Sequence, residues 1–253
     1  MKLAGAHAVV TGGGTGIGAA VARALAAEGA KLTLIGRRRE KLEEVASGNF
    51  DALVAPADVT VRTQVDAAFA LAREAQGPIT ILVNNAGAAE SAPFGKVTEE
   101  NWRSTLAVNL DALLHCSQAA LPDLLAAEHG RIVNVASVAG LKGYAYTAPY
   151  VAAKHGAIGL TRALAVEYAK KNLTVNAVCP GFTETEMVRD AIATIRAKTN
   201  RTEEEARTEL SAFNPQGRLI QPEEVASAVL WLCLPENGSM TGQAIAVAGG
   251  ETM

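Results

Sequence analysis

Tyr150 and Lys154 stand four residues apart in the run Tyr150-Val151-Ala152-Ala153-Lys154. On a helix those positions share one face, about one turn apart. A free phenol has a pKa of about 10, too high to exchange protons readily near neutrality. An ammonium held a few ångströms away favours the phenolate and lowers that value. The pair is therefore a candidate proton-transfer device, with tyrosine as general acid or base and lysine as its tuning charge. Tyrosine and lysine also fall four apart by chance, so the pair decides nothing alone.

A second chemistry-bearing stretch is Thr11-Gly12-Gly13-Gly14-Thr15-Gly16-Ile17-Gly18. It follows an apolar run and opens a helical one. Glycines there let the backbone turn sharply and approach a pyrophosphate, whose charge the N–H groups of the helix start can hold. Gly12, Gly14, Thr15, Gly16, Ile17 and Gly18 are thus candidate cofactor contacts; the competing reading is a tight turn. No Gly-Lys-[Ser/Thr] closes the motif, which disfavours an ATP-type phosphate loop. About 20 residues further on, an acid would hold the ribose hydroxyls of NAD. Gly36-Arg37-Arg38-Arg39 stands there instead. Guanidinium groups pair with phosphate, so Arg37 and Arg38 point to a 2′-phosphate and to NADP(H) in preference to NAD(H). The alternative is a solvated charge run continuing into Glu40-Lys41. Thr15 is uncharged and adds no second cation, so NAD(H) stays possible.

These residues sit in an alternation of short apolar runs and longer helical stretches. Strands are expected at 6–10, 31–35, 52–55, 79–83, 131–136, 173–178 and 244–247, and helices at 16–28, 38–46, 61–76, 99–128, 148–170 and 223–232. Gly29 suits a helix C-terminus, Thr98 an N-cap and Pro222 a first helical position. Pro122 is expected to kink the helix over 99–128. The alternation predicts an α/β fold: a doubly wound parallel sheet flanked by helices, in one domain spanning residues 1–253. Residues 183–218 break the rhythm. They form either a solvated helix pair or a helical lid over a site, the lid itself near 184–216.

Composition excludes several classes. The chain of 253 residues has 23 basic against 26 acidic residues, a net charge of −3, so no nucleic-acid partner is implied. It has no run of 18 apolar residues, so a membrane span is not expected. Met1-Lys2-Leu3-Ala4-Gly5 lacks an apolar signal core, and the expected compartment is the cytoplasm. Cys116, Cys179 and Cys233 have neither disulfide nor metal spacing and read as small buried hydrophobes, and the four histidines show no metal pattern.

The Tyr–Lys pair and the glycine loop are joined by Asn84-Asn85-Ala86-Gly87 after the fourth strand, Val108-Asn109, Ser137 after the fifth strand, Asp58-Val59 and Pro180-Gly181-Phe182-Thr183. In this order and over nearly the whole length, the chain closely resembles the short-chain dehydrogenase/reductase family. The resemblance implies a Rossmann fold and an NAD(P)-dependent carbonyl reductase or alcohol dehydrogenase. It implies that Tyr150 exchanges a proton with the substrate oxygen and that Ser137 polarises it. Lys154 would tune Tyr150 and bind the nicotinamide ribose, and Asn109 would hold a water that relays protons. It places Asp58 and Val59 beside adenine, and Asn85, Ala86, Gly87, Pro180, Gly181 and Thr183 along the cofactor. It implies that 183–218 is the substrate lid, and that helices at 99–128 and 148–170 mediate a homotetramer or homodimer.

Ala148-Pro149-Tyr150 and the run from Asn176 to Met187 look like aromatic polyketide ketoreductases and reductases of 3-oxoacyl thioesters. The leading expectation is reduction of such a thioester or a polyketide-like ketone. Glu128-His129, where carrier-protein reductases often place basic residues, favours a CoA thioester or a free ketone. The alternatives are an NAD(H)-dependent 3-hydroxyacyl-CoA or cyclic secondary-alcohol dehydrogenase and, in a different class, a non-catalytic cofactor-binding regulator.

Overall fold

Runs rich in Val, Leu and Ile form the strands, because central parallel strands are buried on both faces. They are β1 (His7–Thr11), β2 (Lys31–Gly36), β3 (Ala52–Pro56), β4 (Ile81–Asn84), β5 (Gly130–Val135), β6 (Leu173–Pro180) and β7 (Ala244–Val247). The computed structural model describes residues 1–48, 50 and 52–253. Among the described residues the strands form one sheet in the order β3-β2-β1-β4-β5-β6-β7, each neighbouring pair parallel. The order reverses between β1 and β4. At such a switch point the connections leave toward opposite faces and open a crevice at the strands' carboxyl ends.

The helices are α1 (Gly16–Ala27), α2 (Arg39–Ala46), α3 (Arg62–Gln76), α4 (Glu99–Leu106), α5 (Ala112–Ala126), α6 (Ala148–Glu167), α7 (Glu186–Lys198), α8 (Glu203–Ser211) and α9 (Pro222–Cys233). Val21 and Leu25 of α1, Leu42 of α2, and Val225 and Val229 of α9 fill one face of the sheet. Val65 and Phe69 of α3 and Cys116 and Leu124 of α5 fill the other. Burying one such large side chain contributes about 1.5–3 kcal/mol. The doubly wound α/β architecture is the one the alternation predicts. All three cysteines are buried, and burial pushes the Cys116 and Cys233 thiols up to about 12. Among the described residues no helix is long and apolar enough to cross a membrane.

One expectation needs correction. The helical stretch expected to run unbroken over 99–128 is divided into α4 and α5 by a π-helical turn at Ala107–Asp111, and Pro122 lies inside α5. The cause is Asn109. Its side-chain amide donates to the Thr105 carbonyl at 3.0 Å, the acceptor that its own backbone would take in an α-helix. A second bond at 2.7 Å to the Ala88 carbonyl ties the turn to the loop after β4.

The segment after β6 forms the helix pair α7 and α8. These pack around their own small cluster of Val188, Ile192, Ala206, Leu210 and Leu219. Thr202 and Glu205 close a reciprocal capping box at the start of α8.

Candidate active site

The glycine loop is built by exclusion. Gly12 has φ +63°, and a Cβ there would lie 2.8 Å from Asn85 Nδ2 and 3.0 Å from Ala86 Cα. A Cβ on Gly18 would fall on the Gly12 carbonyl. Thr11 locks the loop to the turn after β4: its Oγ1 accepts from the N–H groups of Asn85 at 3.0 Å and Ala86 at 3.1 Å. Asn85 returns the tie by donating to the carbonyls of Thr11 at 2.9 Å and Gly12 at 3.1 Å. Asn85 and Ala86 are therefore brought to the loop, but the Asn85 amide is occupied in shaping it. Thr11 was not among the sequence candidates; its position as the last residue of β1 was the available signal.

The end of β2 lies against the same loop, since the Gly13 N–H donates to the Ile35 carbonyl at 3.3 Å. Arg37 is exposed beside Asp58. Burial pushes the Asp58 carboxyl up, but hydrogen bonds from Thr60 and the Arg37 charge outweigh this and hold it below its ordinary value. Val59 is buried. Arg38 is exposed and donates to Glu186 at 2.6 Å.

The proton-transfer candidates converge where β5, α6 and the π turn meet. Ser137 begins a 3-10 turn at Val138–Gly140, and its Oγ accepts from the Ala139 N–H at 3.1 Å. That leaves the Ser137 O–H as a donor, directed here at the Tyr150 phenol. Lys154 is buried, donates to the Val135 carbonyl at 2.9 Å, and lies 5.5 Å from the Tyr150 ring centre. Burial pushes its pKa down to about 8. Asn109 is fully buried, and its Oδ1 has no hydrogen-bond partner. A Cβ on Gly87 would lie 2.8 Å from that oxygen and 3.6 Å from Lys154 Nζ, so both groups face the bare Gly87 backbone.

The sequence expectation for Tyr150 is corrected here. Burial pushes its phenol above the ordinary value, and the Ser137 hydroxyl opposes the shift. The Lys154 ammonium, 5.5 Å from the ring centre, also donates to the Val135 carbonyl. Desolvation is the largest influence and sets the direction in this arrangement.

Pro180, Gly181 and Thr183 follow at the end of β6. The Gly181 N–H donates to the Val247 carbonyl at 3.0 Å, and the Thr183 hydroxyl to the Gly181 carbonyl at 2.9 Å. A residue from the far end of the chain joins them. The Glu251 side chain is 1% exposed, accepts from the Tyr144 hydroxyl and forms an ion pair at 3.3 Å with Lys142, whose ammonium donates to the Glu251 backbone carbonyl at 3.1 Å. A Cβ on Gly181 would lie 2.9 Å from its second oxygen. Tyr144 also packs edge-on to Phe182 at 6.2 Å and against Phe213 at 5.8 Å. Phe213 follows α8, so this aromatic cluster joins the helix pair to the loop before α6. Glu251, Tyr144 and Phe213 were not sequence candidates, because no local pattern brings these three segments together.

Beneath the site, Asn84 donates to Asn134 at 2.9 Å and Asn134 to Thr161 at 2.9 Å, a buried polar ladder that fixes β4, β5 and α6 in register. Among the described residues no cluster of three His, Cys, Asp or Glu side chains is placed to hold a metal. His155 is exposed, and His7 is buried and bonded to Thr33 and Gly77.

A side-chain-free glycine loop at a sheet switch point, with a serine, tyrosine and lysine at the adjoining strand end, defines a dinucleotide-dependent oxidoreductase. The chain belongs to the short chain dehydrogenase family, whose model matches residues 6–196. It is 38% identical over 252 residues to a putative ketoacyl reductase of the granaticin polyketide synthase of Streptomyces violaceoruber, covering 96% of this chain and 92% of that protein. It is 38% identical over 258 residues to the 3-oxoacyl-[acyl-carrier-protein] reductase FabG of Vibrio cholerae, covering 100% of both chains. Among solved structures, a variant of actinorhodin polyketide ketoreductase with NADPH superposes with a TM-score of 0.93 at 36% identity, covering 98% of this chain and 97% of that one. The protein is an NAD(P)-dependent oxidoreductase.

Proposed function

We propose that the protein uses NADPH to reduce a ketone, either a 3-oxoacyl thioester or a polyketide-like ketone. The observation that carries this reading is the convergence of Ser137, Tyr150, Lys154 and Asn109 beside the glycine loop. The residues fit the cofactor. Bare glycines let the loop close tightly on Asn85, Ala86 and Thr185 with its backbone uncovered by side chains of its own, and the buried Asn109 oxygen without a partner faces the Gly87 backbone. Gly12, Gly14, Thr15, Gly16, Ile17 and Gly18 would hold its pyrophosphate end, and Arg37 and Arg38 its 2′-phosphate. Asp58 and Val59 would flank the adenine, and Ala86, Gly87, Pro180, Gly181 and Thr183 the rest. When bound, the cofactor supplies the hydride.

The protein's own groups handle the oxygen. Ser137, its Oγ already fixed by Ala139, donates its O–H to the carbonyl oxygen and polarises it. Tyr150 gives that oxygen its proton as negative charge develops there, and its raised pKa keeps it protonated for the task. Lys154, with a pKa of about 8, is poised to restore that proton near neutrality. Asn109 Oδ1 is the acceptor at which a water would link Lys154 to solvent. Retaining all four groups distinguishes this reading from a regulator that binds cofactor without turnover.

The relatives named as ketoacyl reductases favour reduction, and the helix pair α7–α8 suits a substrate larger than a short alcohol. Apolar side chains left exposed on α4, α5 and α6, Trp102, Leu114 and Val166, support a homo-oligomer built on those helices. The deciding experiment is a panel of 3-oxoacyl thioesters, cyclic ketones and the matching alcohols, each tested with both nicotinamide cofactors. Preferred oxidation of a hydroxyacyl-CoA with NAD⁺ would overturn the assignment.

A further inference from the structure

Arg38 is already engaged. Its guanidinium spans from the end of β2 to Glu186, the first residue of α7, at 2.6 Å. The preceding residue supports this placement. Thr185 seats against the glycine loop, so that a Cβ on Gly16 would lie 3.0 Å from its Cγ2. The start of the helix pair thus meets the dinucleotide-binding end at two points. One of them is a carboxylate on a guanidinium expected to meet a phosphate.

We propose that Glu186 is a specificity-determining residue for the cofactor: it competes with the 2′-phosphate for Arg38 and so selectively weakens the binding of NADP(H). The inference rests on the assignment of Arg37 and Arg38 to that phosphate. A carboxylate and a phosphate ester both accept the same guanidinium N–H groups. NADP(H) must therefore displace Glu186, whereas NAD(H) leaves the Arg38–Glu186 pair intact. The exchange is easy because the side chains are 57% and 43% exposed, so neither becomes a buried unpaired charge. Released Glu186 still sits at the positive end of α7, and Lys41 and Arg189 also favour its charged form. The sequence places Glu186 far from Arg38, so only the fold makes them rivals.

The test needs no substrate. Dissociation constants are measured for NADPH and NADH by nucleotide fluorescence, and for 2′,5′-ADP and 5′-AMP by calorimetry. The proteins are the unaltered chain, Glu186→Gln, Arg38→Ala and the double variant, each shown to melt cooperatively. An exposed ion pair corresponds to a factor of about two to five, so Glu186→Gln should bind NADPH and 2′,5′-ADP tighter by about that much. NADH and 5′-AMP should be unaffected, and the gain should vanish in the Arg38→Ala background. If Glu186→Gln binds NADPH unchanged or more weakly while Arg38→Ala still loses NADPH selectively, the competition is wrong and the phosphate assignment stands. If Arg38→Ala affects NADPH and NADH alike, the phosphate assignment itself fails.

Discussion

Lys154 donates its ammonium to the Val135 carbonyl at 2.9 Å, one strand end away from the tyrosine it accompanies on α6. This bond explains how a nearly buried charge is tolerated. The carbonyl offsets part of the lost hydration, but burial still brings the lysine to about 8. The lysine, rather than the tyrosine, is then the group that titrates near neutrality.

That value fixes a pH dependence with two opposite parts. Above about pH 8 the folded enzyme loses the ammonium, so kcat/KM for ketone reduction should fall on the alkaline side. Stability moves the other way. Between about 8 and the unfolded value of 10.5 the unfolded chain binds more protons, so the burial penalty present below pH 8 is relieved as pH rises. Lys154→Met should abolish that rise in stability and lower turnover roughly 10²-fold. Denaturant melts and rate profiles across pH 6–10.5 measure both; an unchanged stability profile in the variant would contradict the assignment.

Tyr150→Phe keeps the ring and removes only the hydroxyl. Loss of a positioned proton donor should reduce kcat by roughly 10²–10⁴-fold. Cofactor affinity, read by fluorescence titration, should stay within about threefold, because the glycine loop is untouched. Turnover close to that of the unaltered enzyme would remove Tyr150 from the acid role.

Arg37→Ala should weaken NADPH roughly tenfold or more while leaving NADH nearly unchanged, the scale of one lost charge-assisted hydrogen bond. Equal effects on both cofactors, in the same binding assay, would make Arg37 a surface charge that serves Asp58 alone.

Gly18→Ala is the sharpest test of the cradle. The added methyl falls on the Gly12 carbonyl, and both belong to the rigid loop tied by Thr11 and Asn85. The loop must shift, so cofactor binding should be lost and the melting temperature lowered. Gly95→Ala, where nothing lies within 4 Å of the added carbon, is the control and should change neither.

Glu251→Ala would leave the Tyr144 hydroxyl without its acceptor and remove the Lys142 ion pair, though Lys142 keeps its bond to the backbone carbonyl, and should cost about 1–3 kcal/mol of stability. It should raise the ketone KM more than the cofactor dissociation constant, because Tyr144 anchors Phe182 and Phe213. Phe213→Ala, at a half-exposed position, should reproduce the KM effect with little loss of stability. If it leaves KM unaltered, the helix pair does not cover the substrate.

Much of this molecule is written locally. Apolar runs of strand length, helical stretches between them and Gly12-x-x-x-Gly16-x-Gly18 need no knowledge of distant residues, because period, capping and backbone freedom are properties of neighbours. The α/β architecture and the Tyr150–Lys154 spacing were legible for that reason, whereas Asn109 and Ser137 entered only through the family resemblance. The fold decided what depends on residues far apart in the chain. The π turn at Asn109 is tied by the Asn109 amide to the Ala88 carbonyl of the loop after β4. Arg38 meets Glu186, and Glu251 reaches Tyr144, because the strand order brings separate crossings to one end of the sheet. The acidities of Tyr150 and Lys154 follow from the same cause: charge in a pocket is governed by how much water the tertiary packing removes, and four residues of spacing carry no measure of that.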